Sequence, residues 1–491
     1  MQRKRRKFKM AKKPAQLDAK GYRKFGMRDK IAYAAGDFGC NMSFGLKGTV
    51  QTFWLTYMML ETGLLSILLL LVQIWDAVND PIIGSLIDAD TRKYKRGKFK
   101  TYILIGAIGL IVGGAAVFLP FPNASTVVKA ALFIIGYMIW DAAYTMANVP
   151  YGSMMSLVTE DAGERAQLST WRSLGGMVGG MLPGIILPML IWKNVYDASG
   201  NLLGQELQGA TVFFAALLMG AVGFVAFMFM INKITIRVDE YSVKTGEEAP
   251  KFNVIKAIGN FMKNRPAVGA TVAAMGMFLG MQSATTANAI MFATYFKNAQ
   301  LSGIVMMIGF LPMFLFMPFI KKLVNKFGKK EAATAGTIVS LVGGAVMLVF
   351  PTVSIEMALP VYMVGLLLFG LGMGVYTCVS WALMADAIDY SEWKFGKREE
   401  GTVYSLHSFF RKLAQGVRPS IVIALLGVLG YVSELGTTGQ NAEMAHRACW
   451  LVAGLYMFSA VMQFVGIGLI FNLDKKTLAQ MTEELNVRRG K

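Results

Sequence analysis

Leu64 to Ile87 reads LLSILLLLVQIWDAVNDPIIGSLI, an apolar run interrupted by Asp76, Asn79 and Asp80. The run is long enough for a membrane-spanning helix, which needs roughly 20 apolar residues. Its two carboxylates are the costly exception. An ionisable group in hydrocarbon costs several kcal/mol unless it faces a partner, a cation or a water-filled cavity, so such a pair marks a transport or coupling site. At i, i+3 and i+4 the three side chains share one helix face. Together they offer an oxygen-rich half-cage that suits a small hard cation, sodium among the metals, or a proton.

The rest of the chain is of the same kind. Of its 491 residues 55% are hydrophobic and only 16% charged, and the mean hydropathy is +0.48. This composition belongs to an integral membrane protein and not to a large soluble enzyme. Glycines gather inside the apolar runs, where they let helices approach closely. Cys40, Cys378 and Cys449 all fall within predicted spans, so neither a disulfide framework nor a zinc spacing is available. The first 30 residues carry 13 Lys or Arg and lack the apolar core of a signal peptide. The net charge of +19 is confined to short segments beside the spans, which the positive-inside rule explains without nucleic acid.

Twelve spans are predicted, at about 31–60, 63–88, 101–121, 128–158, 166–192, 209–231, 267–296, 301–323, 332–351, 357–386, 401–432 and 447–472, on the criterion of apolar length. Of the Lys and Arg between the spans or at their ends, 40 fall on one side, and only Lys129, Lys193, Lys297 and Arg447 on the other. Both termini are therefore expected in the cytoplasm. The longest polar interruption follows the sixth span. It divides the chain into a basic tail (1–30), a six-helix bundle (31–231), a cytoplasmic linker (232–266), a second six-helix bundle (267–472) and a C-terminal tail (473–491). Tyr144-Thr145 recurs as Tyr376-Thr377, and Lys95-Arg96-Gly97-Lys98 resembles Lys326-Phe327-Gly328-Lys329. Both repeats are offset by roughly 230 residues, as two related halves would require.

Further ionisable residues inside the spans are Asp37 and Lys47 in the first, Asp141 in the fourth, Arg172 in the fifth, and Arg411, Lys412 and Arg418 in the eleventh. Ion pairing across a bundle interface would account for such a set, but charges in membranes more often mark a pathway. Asp141, Thr145 and Asn148 follow one another at i, i+4 and i+7 and could present more oxygens to the trio. Pro81 and Pro150 follow the two polar clusters, and a proline in a membrane helix frees backbone carbonyls. Lys412 and Arg172 are the candidates for gripping a polar substrate, since each can donate several hydrogen bonds to hydroxyls or a carboxylate. Trp75, Trp140 and Trp381 could stack on a sugar face, although an aromatic in a membrane helix is more often core. His407 alone has no metal partner. Asp386, Asp389 and Glu392 precede Lys394, Lys397 and Arg398. That arrangement suits either a cytoplasmic gate built on Asp386, Asp389 and Arg398 or a solvated loop.

Four stretches carry a resemblance: Gly36-Asp37-Phe38, Trp75-Asp76-Ala77-Val78-Asn79-Asp80-Pro81, Tyr144-Thr145-Met146-Ala147-Asn148-Val149-Pro150-Tyr151-Gly152-Ser153, and the segment from Asp386 through Lys394 to Phe409-Phe410-Arg411-Lys412. With them the chain resembles the glycoside-pentoside-hexuronide:cation symporter family, melibiose permease-like proteins of the major facilitator superfamily. The resemblance implies an all-α membrane fold of two pseudo-symmetric six-helix bundles. It also implies cation-coupled sugar symport, with the cation between the second and fourth spans and the sugar between the bundles. Asp76, Asn79, Asp80 and Thr145 match cation positions. Asp37, Arg172 and Lys412 match sugar-binding positions, and His407 and Ser408 match pocket-lining ones. Asn148 stands where the melibiose permease has an Asp that serves both ligands, which shifts the expectation from sodium toward a proton. Gly152 replaces a sugar-stacking Trp and Gly36 a Lys, while Asp141 and Lys47 stand where the family usually has neutral residues. Asn148 is counted in both the cation-binding and the substrate-binding sets, and Asp141 in the substrate-binding set.

The expectation is a secondary active transporter in the cell membrane, working as a monomer among lipids by alternating access. It is not an enzyme, and it needs no cofactor beyond a coupling ion, H+ or Na+. A carrier of another amphipathic solute such as a lipid or drug, or a non-transporting sensor, would use the same fold.

Overall fold

The computed structural model describes residues 21–159, 161–238, 254–396 and 400–488. Helices occupy all twelve predicted spans. The first is Met27–Phe44, continued after a break by Lys47–Thr52 and a π-turn, Phe53–Tyr57. Thr62–Ala89, Lys98–Val117, Thr126–Ser153, Ala162–Ile191 and Gly209–Lys233 complete the first half. The seventh span runs from Arg265–Gly276 through a π-turn, Met277–Met281, to Gln282–Thr294. Leu301–Phe327, Lys329–Val349, Ile355–Phe395, Glu400–Val428 and Ala442–Phe464 follow, the last extended by a π-turn over Val465–Ile470. Among the described residues, eight of these helices are long and apolar enough to cross a membrane on composition alone. The first, second, eighth and eleventh are not among the eight, and the first, second and eleventh carry intramembrane charges.

The packing repeats itself. In the first half, span 1 lies against spans 5 and 6, span 3 against 4 and 6, and span 2 against 4; in the second, span 7 lies against 11 and 12, span 9 against 10 and 12, and span 8 against 10. Every pair thus recurs six spans later, and the halves meet through span 2 against 11 and span 5 against 8. Two pseudo-symmetric six-helix bundles result. Equivalent glycines close equivalent pairs: a Cβ on Gly113 would fall 2.5 Å from the Trp140 backbone, and one on Gly343 would fall 2.4 Å from that of Phe369. The basic repeat also has a physical reason, because Gly97 and Gly328 precede spans 3 and 9 at φ of +90° and +109°, where other residues are strained.

Asp29 is fully buried at the inner end of span 1. Arg23 and Arg237 hold it at 2.8 and 3.1 Å, and Arg237 also donates to the Val158 carbonyl, so the inner ends of spans 1, 4 and 6 are tied together. In the second half Lys329 meets Asp386 at 2.6 Å. Span 10 continues past the predicted 386 to Phe395 and ends at Gly396 in the left-handed region, φ +70°. Asp386 and Asp389 therefore lie on a helix and not in a loop. The C-terminal tail forms a helix, Lys475–Arg488, whose Glu484 accepts from Trp393 Nε1 at 2.6 Å.

An antiparallel hairpin of Trp192–Tyr196 and Leu202–Leu207 joins spans 5 and 6 at the outer end. It grips the other half. Thr437 Oγ1 donates to the Gln205 carbonyl at 2.7 Å, Thr438 Oγ1 to Glu206 Oε1 at 2.7 Å, and the Gln300 backbone N–H to Gln205 Oε1 at 3.1 Å. Deeper in, Ser66 Oγ donates to the Ser420 carbonyl at 2.9 Å.

Candidate functional site

Asp37 sits on span 1 where span 5 presents glycines instead of side chains. A Cβ on Gly175 would fall 2.0 Å from the Ala34 carbonyl oxygen, and one on Gly176 would fall 2.1 Å from Asp37 Oδ2. The close approach lets Arg172 Nε reach Asp37 Oδ1 at 3.0 Å, with the carboxylate 14% and the guanidinium 33% exposed. Asn41, one turn on, donates from Nδ2 to Asp37 Oδ2 at 3.2 Å. The Arg172 guanidinium also lies 5.0 Å from the centre of the Tyr151 ring. That ring stacks on Tyr33 at 4.7 Å, and each tyrosine hydroxyl donates to the other's backbone carbonyl. This frame holds Arg172 against the face of Tyr151. Beside it a Cβ on Gly152 would lie 3.7 Å from Nη1, an ordinary contact.

The second cluster joins spans 1, 2 and 4. Asn79 is buried and donates from Nδ2 to Asp141 Oδ2 at 3.3 Å and to Thr145 Oγ1 at 3.0 Å. Asp141 is itself 1% exposed. Asp76, one turn before Asn79, faces Lys47, whose Nζ lies 3.8 Å from Oδ2. The Lys47 ammonium also lies over the rings of Phe44, Tyr137 and Tyr144, at 4.9, 5.9 and 6.0 Å. Asn148, further along span 4, accepts from Cys40 Sγ at 3.7 Å, which places it beside the Asp37 group. The side chain of Asp80 and the whole of Arg398 fall outside the described residues.

In the second half, Thr271 Oγ1 donates to the Ala267 carbonyl at 2.7 Å and lies 2.8 Å from His407 Nδ1. A hydroxyl that spends its proton on the backbone accepts from the ring, which sets His407 as the Nδ1–H tautomer. His407 is 5% exposed. With Tyr376, Thr377, Ser380 and Arg411 it lines a cavity of about 110 Å³ between spans 7, 10 and 11. Ser408 is half-buried and Lys412 exposed on span 11. Arg418 donates from Nη1 to the Gln282 carbonyl at 3.1 Å, just after the π-turn of span 7.

Residues 32–475 match the family model described as MFS/sugar transport protein. The chain belongs to this sugar-transport family of the major facilitator superfamily. It is 30% identical over 476 residues to the uncharacterized symporter YjmB of Bacillus subtilis, covering 94% of this chain and 96% of that one. It is 27% identical over 462 residues to the isoprimeverose transporter of Lactiplantibacillus pentosus, with 93% and 91% covered. Among solved structures, a bacterial homologue of the iron transporter ferroportin in an inward-facing state aligns over 89% of this chain and 97% of its own at a TM-score of 0.59 and 11% identity. The xylose transporter XylE from E. coli aligns over 92% and 98% at 0.54 and 13%. These likenesses concern the fold. The family and its neighbours are transporters and not enzymes.

Within this sugar-transport family member, the residues singled out in the sequence fall into three groups. Asp37, Arg172 and Asn148 gather on spans 1, 4 and 5; Asp76, Asn79, Asp141 and Thr145 gather on spans 1, 2 and 4 with Lys47; His407 and Ser408 lie across the molecule with Lys412. Asp386 pairs with Lys329 inside its own half, while the basic residues that follow it in sequence were the expected partners. Trp140 is core, its Nε1 donating to Ser43 Oγ at 2.8 Å. Sequence reasoning missed Asn41, Tyr33 and Thr271. Asn41 alone left a signal, one turn after Asp37.

Proposed function

We propose that this chain carries a glycoside or related sugar across the cell membrane by alternating access, in symport with a cation. The observation that carries this reading is the Asp37–Arg172 pair. It is a carboxylate and a guanidinium held deep between helices yet partly open, one rich in acceptors and the other in donors, which is what sugar hydroxyls need. Gly152, lacking a side chain, leaves the guanidinium uncovered by a larger residue at that position. His407, Ser408 and Lys412 on span 11 stand as the other half's contribution, so a bound sugar would bridge the bundles. The names of the two relatives, a symporter and an isoprimeverose transporter, point the same way.

Coupling is assigned to the cluster around Asp76, with Asn79, Asp80 and Thr145. Cargo that binds more tightly when that cluster is neutralised must in turn strengthen neutralisation, since linkage is reciprocal. Asp386, Asp389 and Arg398 are proposed to act near the inner opening, and the protein is proposed to work as a monomer in lipid. The test is uptake by right-side-out vesicles offered neutral and acidic glycosides. Asp37→Ala or Lys412→Ala should weaken binding of the accepted sugar, and unchanged affinity would remove them from the pocket. Asp76→Asn should abolish accumulation against a gradient while sparing exchange; full accumulation would remove Asp76 from coupling.

A further inference from the structure

Lys47 is an intramembrane charge of the first half that neither the proposed sugar site nor the proposed coupling set uses. It follows the break in span 1 at Gly45-Leu46, and its side chain is 16% exposed. Its ammonium is 3.8 Å from Asp76 Oδ2 and is ringed by Phe44, Tyr137 and Tyr144. Aromatic faces arranged around an ammonium hold it by the ring quadrupole. The salt bridge and the cage therefore fix the same atom from different sides.

Several of the oxygens expected to converge on a metal ion are already engaged. Asp76 faces an ammonium, and Asp141 Oδ2 and Thr145 Oγ1 both accept from Asn79 Nδ2. A sodium ion needs several oxygens with free lone pairs pointing at one spot. Here donors point at that spot instead. A second cation at Asp76 would also sit within a few ångströms of the lysine charge, where repulsion in a partly desolvated site is strong. Among the described side chains, Asp76, Asn79 and Thr145 as arranged do not fit a sodium ion.

We propose that the Lys47 ammonium takes the place of sodium at Asp76, as a cation tethered to the chain, so that sodium neither binds this site nor drives transport. The proposal rests on the reading above that Asp76 belongs to the coupling cluster. It turns on charge and position, and it makes Lys47 the residue that decides ion specificity.

Radiolabelled sodium binding to the purified full-length chain in lipid nanodiscs tests this, at constant pH and with ionic strength held by N-methylglucamine. The wild type should show no saturable sodium binding across the millimolar range. Lys47→Ala and Lys47→Met should bind sodium saturably, at least about 100-fold more tightly than the wild type, and Asp76→Asn in either background should abolish it. Saturable binding by the wild type that Asp76→Asn removes would overturn the proposal, and so would folded Lys47 variants that stay blind to sodium. If neither Lys47 variant folds, the wild type measured against Asp76→Asn still decides. No sugar enters the measurement. A chain that fails to carry any glycoside would therefore sink the transport reading and leave the sodium result standing.

Discussion

Gly176→Ala puts one methyl group where the structure has no room for it, beside the Asp37–Arg172 pair. The new Cβ would lie 2.1 Å from Asp37 Oδ2 and 3.0 Å from Asn41 Nδ2, so the carboxylate or span 5 must give by about 1 Å to reach ordinary contact. The 3.0 Å bond from Arg172 Nε cannot survive such a shift with its present geometry. A hydrogen bond between charged groups contributes about 1.5–3 kcal/mol; with Arg172 a third exposed, screening favours the lower part of that range. Loss of about 2 kcal/mol corresponds to roughly 30-fold in affinity for a sugar that uses the pair. Gly180→Ala is the control, since its Cβ would meet Asn41 Oδ1 at a harmless 3.7 Å. Both changes gain the same helix propensity, about 1 kcal/mol, so their difference isolates the clash. Thermal unfolding in detergent and the Kd of a transported glycoside should both worsen for Gly176→Ala alone. If the two variants match in melting temperature and affinity, the pair is not held by the close contact of spans 1 and 5, and the account of the pocket fails.

Asn79→Ala removes the amide that donates to both Asp141 and Thr145. Taking a donor from a buried carboxylate should destabilise the fold by about 1–3 kcal/mol, read as a lower melting temperature; an unchanged one would mean that span 2 is not fastened to span 4 there. Thr62→Cys with Gly427→Cys should form a disulfide across the outer end, because a Cβ at 427 would lie 2.9 Å from that of Thr62, within a small adjustment of bridging distance. Oxidation should stop net uptake and reduction restore it, whereas uptake that continues through a complete cross-link would show that the halves need not part there. Asp90, after span 2, accepts from the Tyr94 hydroxyl, the Arg92 N–H and the Tyr102 hydroxyl, which together hold its carboxyl at about 2. The depressed value means that this loop order is complete above the ordinary carboxylate range, about pH 4, and is lost as pH falls toward the folded value. Trypsin cleavage at Arg92 or Lys93 should accordingly speed up in Asp90→Asn at neutral pH, and equal rates would show that the carboxylate does not order the loop.

The spans were legible because lipid imposes a single test, apolar length, which hydropathy meets directly. Their ends were less so. Span 10 runs on to Phe395 through Asp386, Asp389 and Glu392 because polar residues beyond the membrane can extend a helix that Gly396 finally stops. The hairpin at 192–207 escaped notice because Trp192, Val195, Leu202 and Leu207 read as the fringe of a span. Its turn was visible in Asp197-Ala198-Ser199-Gly200-Asn201, where the Asp197 carboxylate accepts the Ser199 and Asn201 N–H groups. At the site, helical spacing put Asp76 and Asn79 on a common side, and no spacing rule could reveal what stood opposite. That Lys47, far away in sequence, would lie against Asp76 depends on how span 1 resumes after its break at Gly45-Leu46. Tyr376-Thr377 was recognisable as a repeat of Tyr144-Thr145, yet the copies differ in what they do. Thr145 fastens span 2, while Thr377 lines the cavity beside His407.

Span 4 is the element common to the two clusters of the first half. Asp141 and Thr145 engage span 2, and Asn148 engages span 1 through Cys40, across seven residues or about 10 Å of helix. Span 4 is also clamped to span 3 by Gly106, Gly109 and Gly113, each of which would clash with it if given a Cβ. A helix so held cannot move alone. Span 1 is different, because Asp37 and Lys47 lie on opposite sides of its break, one in Met27–Phe44 and the other beginning Lys47–Thr52. On the proposed mechanism, occupancy at the Asp37–Arg172 pair acts on the inner piece and the ammonium at Asp76 holds the outer piece. The break between them is then where the two sites exchange influence, since hinges are the few residues that absorb a change in direction. Packing of Gly45 against Pro183 of span 5, where a Cβ would fall 2.8 Å from Cγ, seats that break on the same helix that carries Arg172. A sugar that draws Arg172 toward itself therefore pulls on the seat of the hinge as well as on Asp37.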